Sequence, residues 1–163
     1  MQRLKSLYLL ACLAVCLFAM PTHLLGQSVD CDNQVMKGDI NPFPGVDSGL
    51  SGTARLCLGD DGAAGRLRVE GTKAGHAYTV WFFYIEQNGS TVGRLDSTVA
   101  EGSTTAFAGR VGGLVAANGS IICFVVVDHG DVTAMTPLMR ATNLLTPKTP
   151  FSALVTFNIQ QGG

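Results

Sequence analysis

The sequence predicts an all-β fold, a Greek-key β-sandwich of about seven strands. The first observation behind it is an internal echo. Arg68-Val69-Glu70-Gly71, Ala74-Gly75 and Tyr78-Thr79-Val80-Trp81-Phe82 are repeated in kind by Arg110-Val111-Gly112-Gly113, Ala116-Ala117 and Ser120-Ile121-Ile122-Cys123-Phe124. Each copy reads as a strand, a glycine-containing corner, then a long apolar strand rich in β-branched and aromatic residues, which is how Greek-key sheets are laid out. The second is alternation of apolar and polar residues at period two, beginning at Leu50. The third is the turn chemistry between these runs: Gly59 to Gly65, Asn88-Gly89 and Asn118-Gly119.

Taken from the N-terminus, residues 1–28 read as a signal peptide. Arg3 and Lys5 form a basic region, Leu7 to Met20 an apolar run of 14 residues, and Gly26-Gln27-Ser28 offers small residues for cleavage after Ser28. At about 1.5 Å per residue that run reaches about 21 Å, short of a hydrocarbon core of about 30 Å, so no membrane span is expected in the mature chain. Leu9-Leu10-Ala11-Cys12 looks like a lipoprotein box but leaves only five apolar residues before the cut. Export to the periplasm or the exterior is the expected localisation.

Residues 29–49 carry Pro42, Pro44 and several Gly and Asp, and read as an extended lead-in with little regular structure; the sandwich domain is placed at 50–163. Leu50 to Leu58 is the first strand. Gly59 to Gly65 is a turn, and Arg66, Arg68 and Glu70 alternate with Leu67 and Val69 as a half-buried strand. Ala77 to Glu86 is apolar on both faces and is therefore placed centrally. Strands follow near Thr91 to Val99, Thr104 to Val111 and Ser120 to Asp128. Thr136-Pro137 resembles an N-cap and first helical residue, so Pro137 to Asn143 is predicted to be a short helix or 3₁₀ segment. Ala153 to Gln160 alternates as the closing strand. Around Gly71 to Val80 the chain resembles the corner of fibronectin type III modules, which makes the sandwich immunoglobulin/fibronectin-like. There Tyr78 is expected to bond its hydroxyl back to the preceding loop, with Gly71 and Gly75 as structural corner glycines.

Removing residues 1–28 leaves 135 residues with nine Lys/Arg and twelve Asp/Glu, a net charge of −3. The charges are dispersed, with no basic run to neutralise phosphates, so nucleic acid is not an expected partner. Three cysteines remain, Cys31, Cys57 and Cys123. Cys57 shares a strand face with Thr53 and Arg55, opposite Ala54, Leu56 and Leu58, and should point away from the main core. Cys31 with Cys57 is the preferred disulfide, Cys57 with Cys123 the runner-up, and three free thiols the remaining reading; spacing does not set connectivity.

The first place to look for chemistry is Asp128-His129-Gly130-Asp131, where a very apolar strand runs out and where sandwiches carry functional loops. Asp128, His129 and Asp131 are the candidate binding residues; a hydrogen-bonded turn is the competing use of the same residues. A blue-copper arrangement of Cys123, His129, Met135 and Met139 has the right order, but an extended strand from Cys123 to Asp128 spans about 16 Å, too far for one metal. Copper-zinc superoxide dismutases share a glycine corner before a strand, yet Ala77 to Phe82 contains none of their alternating ligand histidines and His76 is one ligand at most. No cofactor and no metal site are expected. Gly-x-Ser-x-Gly, Cys-x-x-Cys, His-Glu-x-x-His, P-loop and Asp-rich calcium patterns are absent from the sequence. Asn88-Gly89-Ser90 and Asn118-Gly119-Ser120 are glycosylation sequons as well as turns. Trp81, Phe82, Phe83 and Tyr84 must split between two faces of a strand, which favours packing over a carbohydrate platform.

With its Ser51-to-Leu56 strand, its Gly75-His76-Ala77-Tyr78-Thr79-Val80-Trp81 corner and a strand ending in Asp128-His129-Gly130, the chain resembles a group of exported bacterial Greek-key sandwich domains without an assigned activity. The resemblance spans about Leu50 to Gln160 and implies fold and export, not a reaction. It departs after Trp81, where Glu86-Gln87-Asn88-Gly89 makes a plain hairpin instead of a cysteine-containing loop. The expected function is a non-enzymatic binding or surface-interaction module for an extracellular or envelope ligand. Its recognition surface is expected in the loops around Asp128 to Asp131 and the long Thr136-to-Thr149 excursion. The alternative is a small metal-dependent or hydrolytic enzyme centred on His129 with Asp128 or Asp131. It requires His129 to meet a second ligand or a nucleophile in a pocket.

Overall fold

The computed structural model describes residues 34–60, 62–135 and 151–160. The expected signal peptide, Cys31 and the Thr136-to-Thr149 excursion, with its Pro137-to-Asn143 helical segment, lie outside the described residues. Eight strands are formed: β1 (Gln34–Pro42), β2 (Ser51–Gly59), β3 (Gly62–Glu70), β4 (His76–Glu86), β5 (Gly89–Val99), β6 (Thr104–Gly112), β7 (Ile121–Asp131) and β8 (Ala153–Asn158). They hydrogen-bond in the order β5-β4-β7-β8-β1-β2-β3-β6, every pair antiparallel.

The strands lie in two layers, β1, β2, β3 and β6 facing β5, β4, β7 and β8. β1 belongs to both: Gln34 to Ile40 pair with β2, while Asn41 and Pro42 pair with β8. On the far side β5 and β6 touch through Asp96, whose Oδ2 accepts the Ala108 N–H at 2.9 Å, so the sandwich nearly closes into a barrel. Three connections cross between layers, β3→β4, β5→β6 and β6→β7. The first and last of these are the two glycine corners of the sequence echo, and the fold is the immunoglobulin-like Greek-key sandwich that echo predicts.

Alternation places Tyr78, Val80, Phe82 and Tyr84 of β4 against Ile122, Phe124 and Val126 of β7 in the main core, with Leu56, Leu67 and Phe107 from the facing layer. Burial of such side chains contributes about 1.5–3 kcal/mol each and supplies most of the driving force. The opposite face of the second layer holds a smaller cluster of Trp81, Val125 and Val127 with Phe83, Cys123, Phe151 and Leu154 packed on it. The four consecutive aromatics therefore divide between two apolar faces.

The structure corrects three local expectations. The lead-in contains a strand, because Met36 and Ile40 turn inward while Val35 faces out. Gly38 stands at the inward position between them, where a Cβ would press on Val155 and Phe157, and this glycine and Pro42 conceal the period-two pattern. The described residues accordingly form eight strands, where about seven were expected. Next, Gly62 to Gly65 extend β3 instead of forming a turn, since Gly59 already pairs with Gly62. Gly65 serves close packing: a Cβ there would meet the Phe124 ring at 2.6 Å. Finally, β7 continues to Asp131, three residues past its expected end, and a 3₁₀ turn at Val132–Ala134 follows it directly.

Candidate functional site

Asp128-His129-Gly130-Asp131 is part of the β7 strand, not a free loop. Tyr78 of β4 pairs with Asp128 and His76 with Asp131, and the register shifts between His76 and Tyr78. Gly130 takes φ +87°, a conformation that glycine adopts without steric cost. The backbone can thus remain paired while the side chains of Asp128 and His129 go to different environments.

Asp128 is the hub on the core side. Its Oδ2 accepts the Tyr78 hydroxyl at 3.1 Å, and its Oδ1 accepts the Gly130 N–H at 2.8 Å. His76 Nδ1 lies 3.0 Å and 3.2 Å from the two carboxylate oxygens. The Tyr78 hydroxyl in turn accepts the Lys73 N–H at 3.0 Å, which ties the β3→β4 corner to β7 through two side chains. Gly71 and Gly75 hold that corner at φ +81° and +80°. The Gly71 N–H donates to Ser103 and that of Gly75 to Ala100, so the corner is also fastened to the β5→β6 connection.

Burial and the Asp128 carboxylate push the Tyr78 phenol up to about 12 from its ordinary 10.0. Because the folded value lies above the unfolded one, the folded protein keeps a proton that the unfolded chain loses. Its contribution is complete below about pH 10 and declines as pH rises toward 12. Urea unfolding from pH 8 to 12 is expected to show stability falling across that alkaline window. Tyr78→Phe removes the hydroxyl, and its unfolding curve should show a smaller decline there.

His129 projects to the other face and is 5% exposed. Its Nε2 shares a hydrogen bond with Thr79 Oγ1 at 2.8 Å, and Thr79 Oγ1 also accepts the Trp81 indole N–H at 2.9 Å. Thr79 and His129 have the juxtaposition of a hydroxyl and its base, but Thr79 is completely buried and its oxygen already serves Trp81. This is the geometry of a buried polar network, not of a nucleophile open to substrate.

Asp131 stands apart from both. Its Oδ1 accepts the Thr133 N–H at 2.8 Å and the Thr133 hydroxyl at 2.7 Å, capping the 3₁₀ turn. Those two bonds, with a lesser contribution from His76, hold its carboxyl below the usual range. The three sequence-nominated residues therefore do not converge: Asp128 braces a corner, His129 is sealed under the outer face, and Asp131 caps a turn.

Among the described residues no group of three or more His, Cys, Asp or Glu is placed to hold a metal ion. Cys123 and His129 lie on one unbroken strand, six steps and about 20 Å apart, so the copper arrangement is not assembled. Cys123 is a free thiol 3.6 Å from Thr156 Oγ1, whereas Cys57 is disulfide-bonded, which removes the Cys57–Cys123 pairing.

Sequence reasoning missed Tyr84. Its hydroxyl accepts the Ala117 N–H of the β6→β7 crossing at 3.0 Å and donates to Glu86 at 3.3 Å. Tyr78 and Tyr84, six residues apart on one face of β4, thus fasten the β3→β4 and β6→β7 crossings at opposite ends of the sandwich. The signal was present in that even spacing, beside the two halves of the echo. The chain matches no protein-family model, no curated protein and no solved structure.

Proposed function

We propose that this protein is an exported, non-enzymatic binding or surface-interaction module, acting in the periplasm or outside the cell. One observation carries the reading: Asp128, His129 and Asp131 are each engaged in separate internal hydrogen bonds and leave no shared reactive centre. The basic and apolar N-terminal run and the likeness to exported bacterial Greek-key domains support export. A Cys31–Cys57 bridge fits that compartment and the disulfide-bonded state of Cys57. No helix among the described residues is long and apolar enough to cross a membrane.

The test uses the mature chain, residues 29–163, against chromogenic esters, phosphoesters and glycosides, with and without Zn²⁺, Cu²⁺ and Ca²⁺. No turnover above buffer is expected, together with saturable binding of the labelled protein to cells of its source that unlabelled protein displaces. Turnover that His129→Asn or His76→Asn abolishes in a folded protein would replace this reading with the enzymatic one.

A further inference from the structure

We propose that the outer edge of β5 from Gly89 to Gly93 is a strand-pairing surface for the same edge of a second copy of this chain. β5 ends the strand order and is paired only with β4. Its lower half is closed off: Asp96 Oδ1 accepts the Ser97 N–H and Oδ2 the Ala108 N–H, so a carboxylate occupies the seam with β6. Leu95 also packs there against Gly109. No such contact is made by Gly89 to Gly93 among the described residues. Gly89 to Val92 are exposed, and a Cβ on Gly89 or Gly93 would meet nothing within 4 Å.

An open edge exposes backbone donors and acceptors that another strand satisfies, and natural proteins usually blunt such edges with charge, proline or bulges. Gly89-Ser90-Thr91-Val92-Gly93 carries neither charge nor proline, while the β4–β5 irregularity and Asp96 lie below it. The missing protection selects the occupant. Two copies of an uncharged segment meet without like-charge repulsion; two-fold dimers are the commonest self-association, and two identical edges related by such an axis meet antiparallel. Five residues give a paired length of about 17 Å, ordinary for a strand.

The neighbouring face fits the same partner. Val92 pairs with Phe83 and lies beside Ile85, which pairs with Ile121; Val92 is 45% and Ile85 41% exposed. Joining β5 to β5 of a second copy continues the outer sheet and merges two such apolar patches, adding burial to the backbone bonds.

Sedimentation equilibrium of the unglycosylated mature chain, under reducing conditions so that Cys123 cross-links do not contribute, tests this from micromolar to millimolar concentration. A concentration-dependent dimer is expected, with slowed amide exchange at Ser90 to Gly93 in the dimer. Val92→Lys should weaken association at least about tenfold through like-charge apposition, and Val92→Thr should retain it. A single-chain mass throughout, a dimer insensitive to Val92→Lys, or a dimer whose edge amides stay unprotected would overturn the proposal.

Discussion

Replacing Gly71 with alanine is expected to destabilise the domain by about 3 kcal/mol or more, lowering its thermal midpoint by about 10 °C. Two costs combine. Gly71 sits at φ +81°, where an L-residue is strained by about 1–2 kcal/mol. Its new Cβ would also press on the Gly49 carbonyl, oxygen and carbon alike. Both obstacles are backbone, so relief requires moving the approach to β2 or opening the Gly71–Ser103 bond. Gly113→Ala separates the two costs, because φ there is +72° and nothing lies within 4 Å. It should cost only about 1 kcal/mol. Urea unfolding of both variants reads the difference, and equal losses would show that crowding at the first corner contributes nothing.

Asp128→Ala is expected to cost about 2–4 kcal/mol, because one truncation strands several donors at once. The Tyr78 hydroxyl, in a residue with no exposed surface, loses its acceptor, and the Gly130 N–H and His76 Nδ1 lose theirs. Asp128→Asn keeps an acceptor for Tyr78 and should fall between the variant and the native chain. Amide exchange is expected to quicken at Lys73 and Gly130 in Asp128→Ala, while Ala117, which Tyr84 holds at the other end, stays protected.

Local chemistry made much of this fold legible. The echo marked the β3→β4 and β6→β7 crossings because each is a glycine corner followed by a strand apolar on both faces, and β4 and β7 are the two strands so buried. Tyr78 was readable because a core tyrosine needs a partner for its hydroxyl, and the five-residue corner between β3 and β4 brings Lys73 back to it. β1 was hidden since its inward positions include Gly38, whose value lies in Val155 and Phe157, more than a hundred residues away. Gly65 was misread as a turn for the same reason, its neighbours being Phe124 and Leu95. The candidate site was legible as residues but not as geometry. Asp128 and His129 are adjacent in sequence, and strand alternation sends them to opposite faces, one to a corner and one to Thr79.

Whether Asp128 is a brace or a reactive carboxylate is decided by a double-mutant cycle between Tyr78→Phe and Asp128→Ala, measured by urea unfolding of the mature chain. A brace predicts that the two losses overlap, with a coupling of about 1–2 kcal/mol between residues that share one hydrogen bond. Losses that add to within about 0.3 kcal/mol would contradict it, and would leave Asp128 held for a purpose other than the corner.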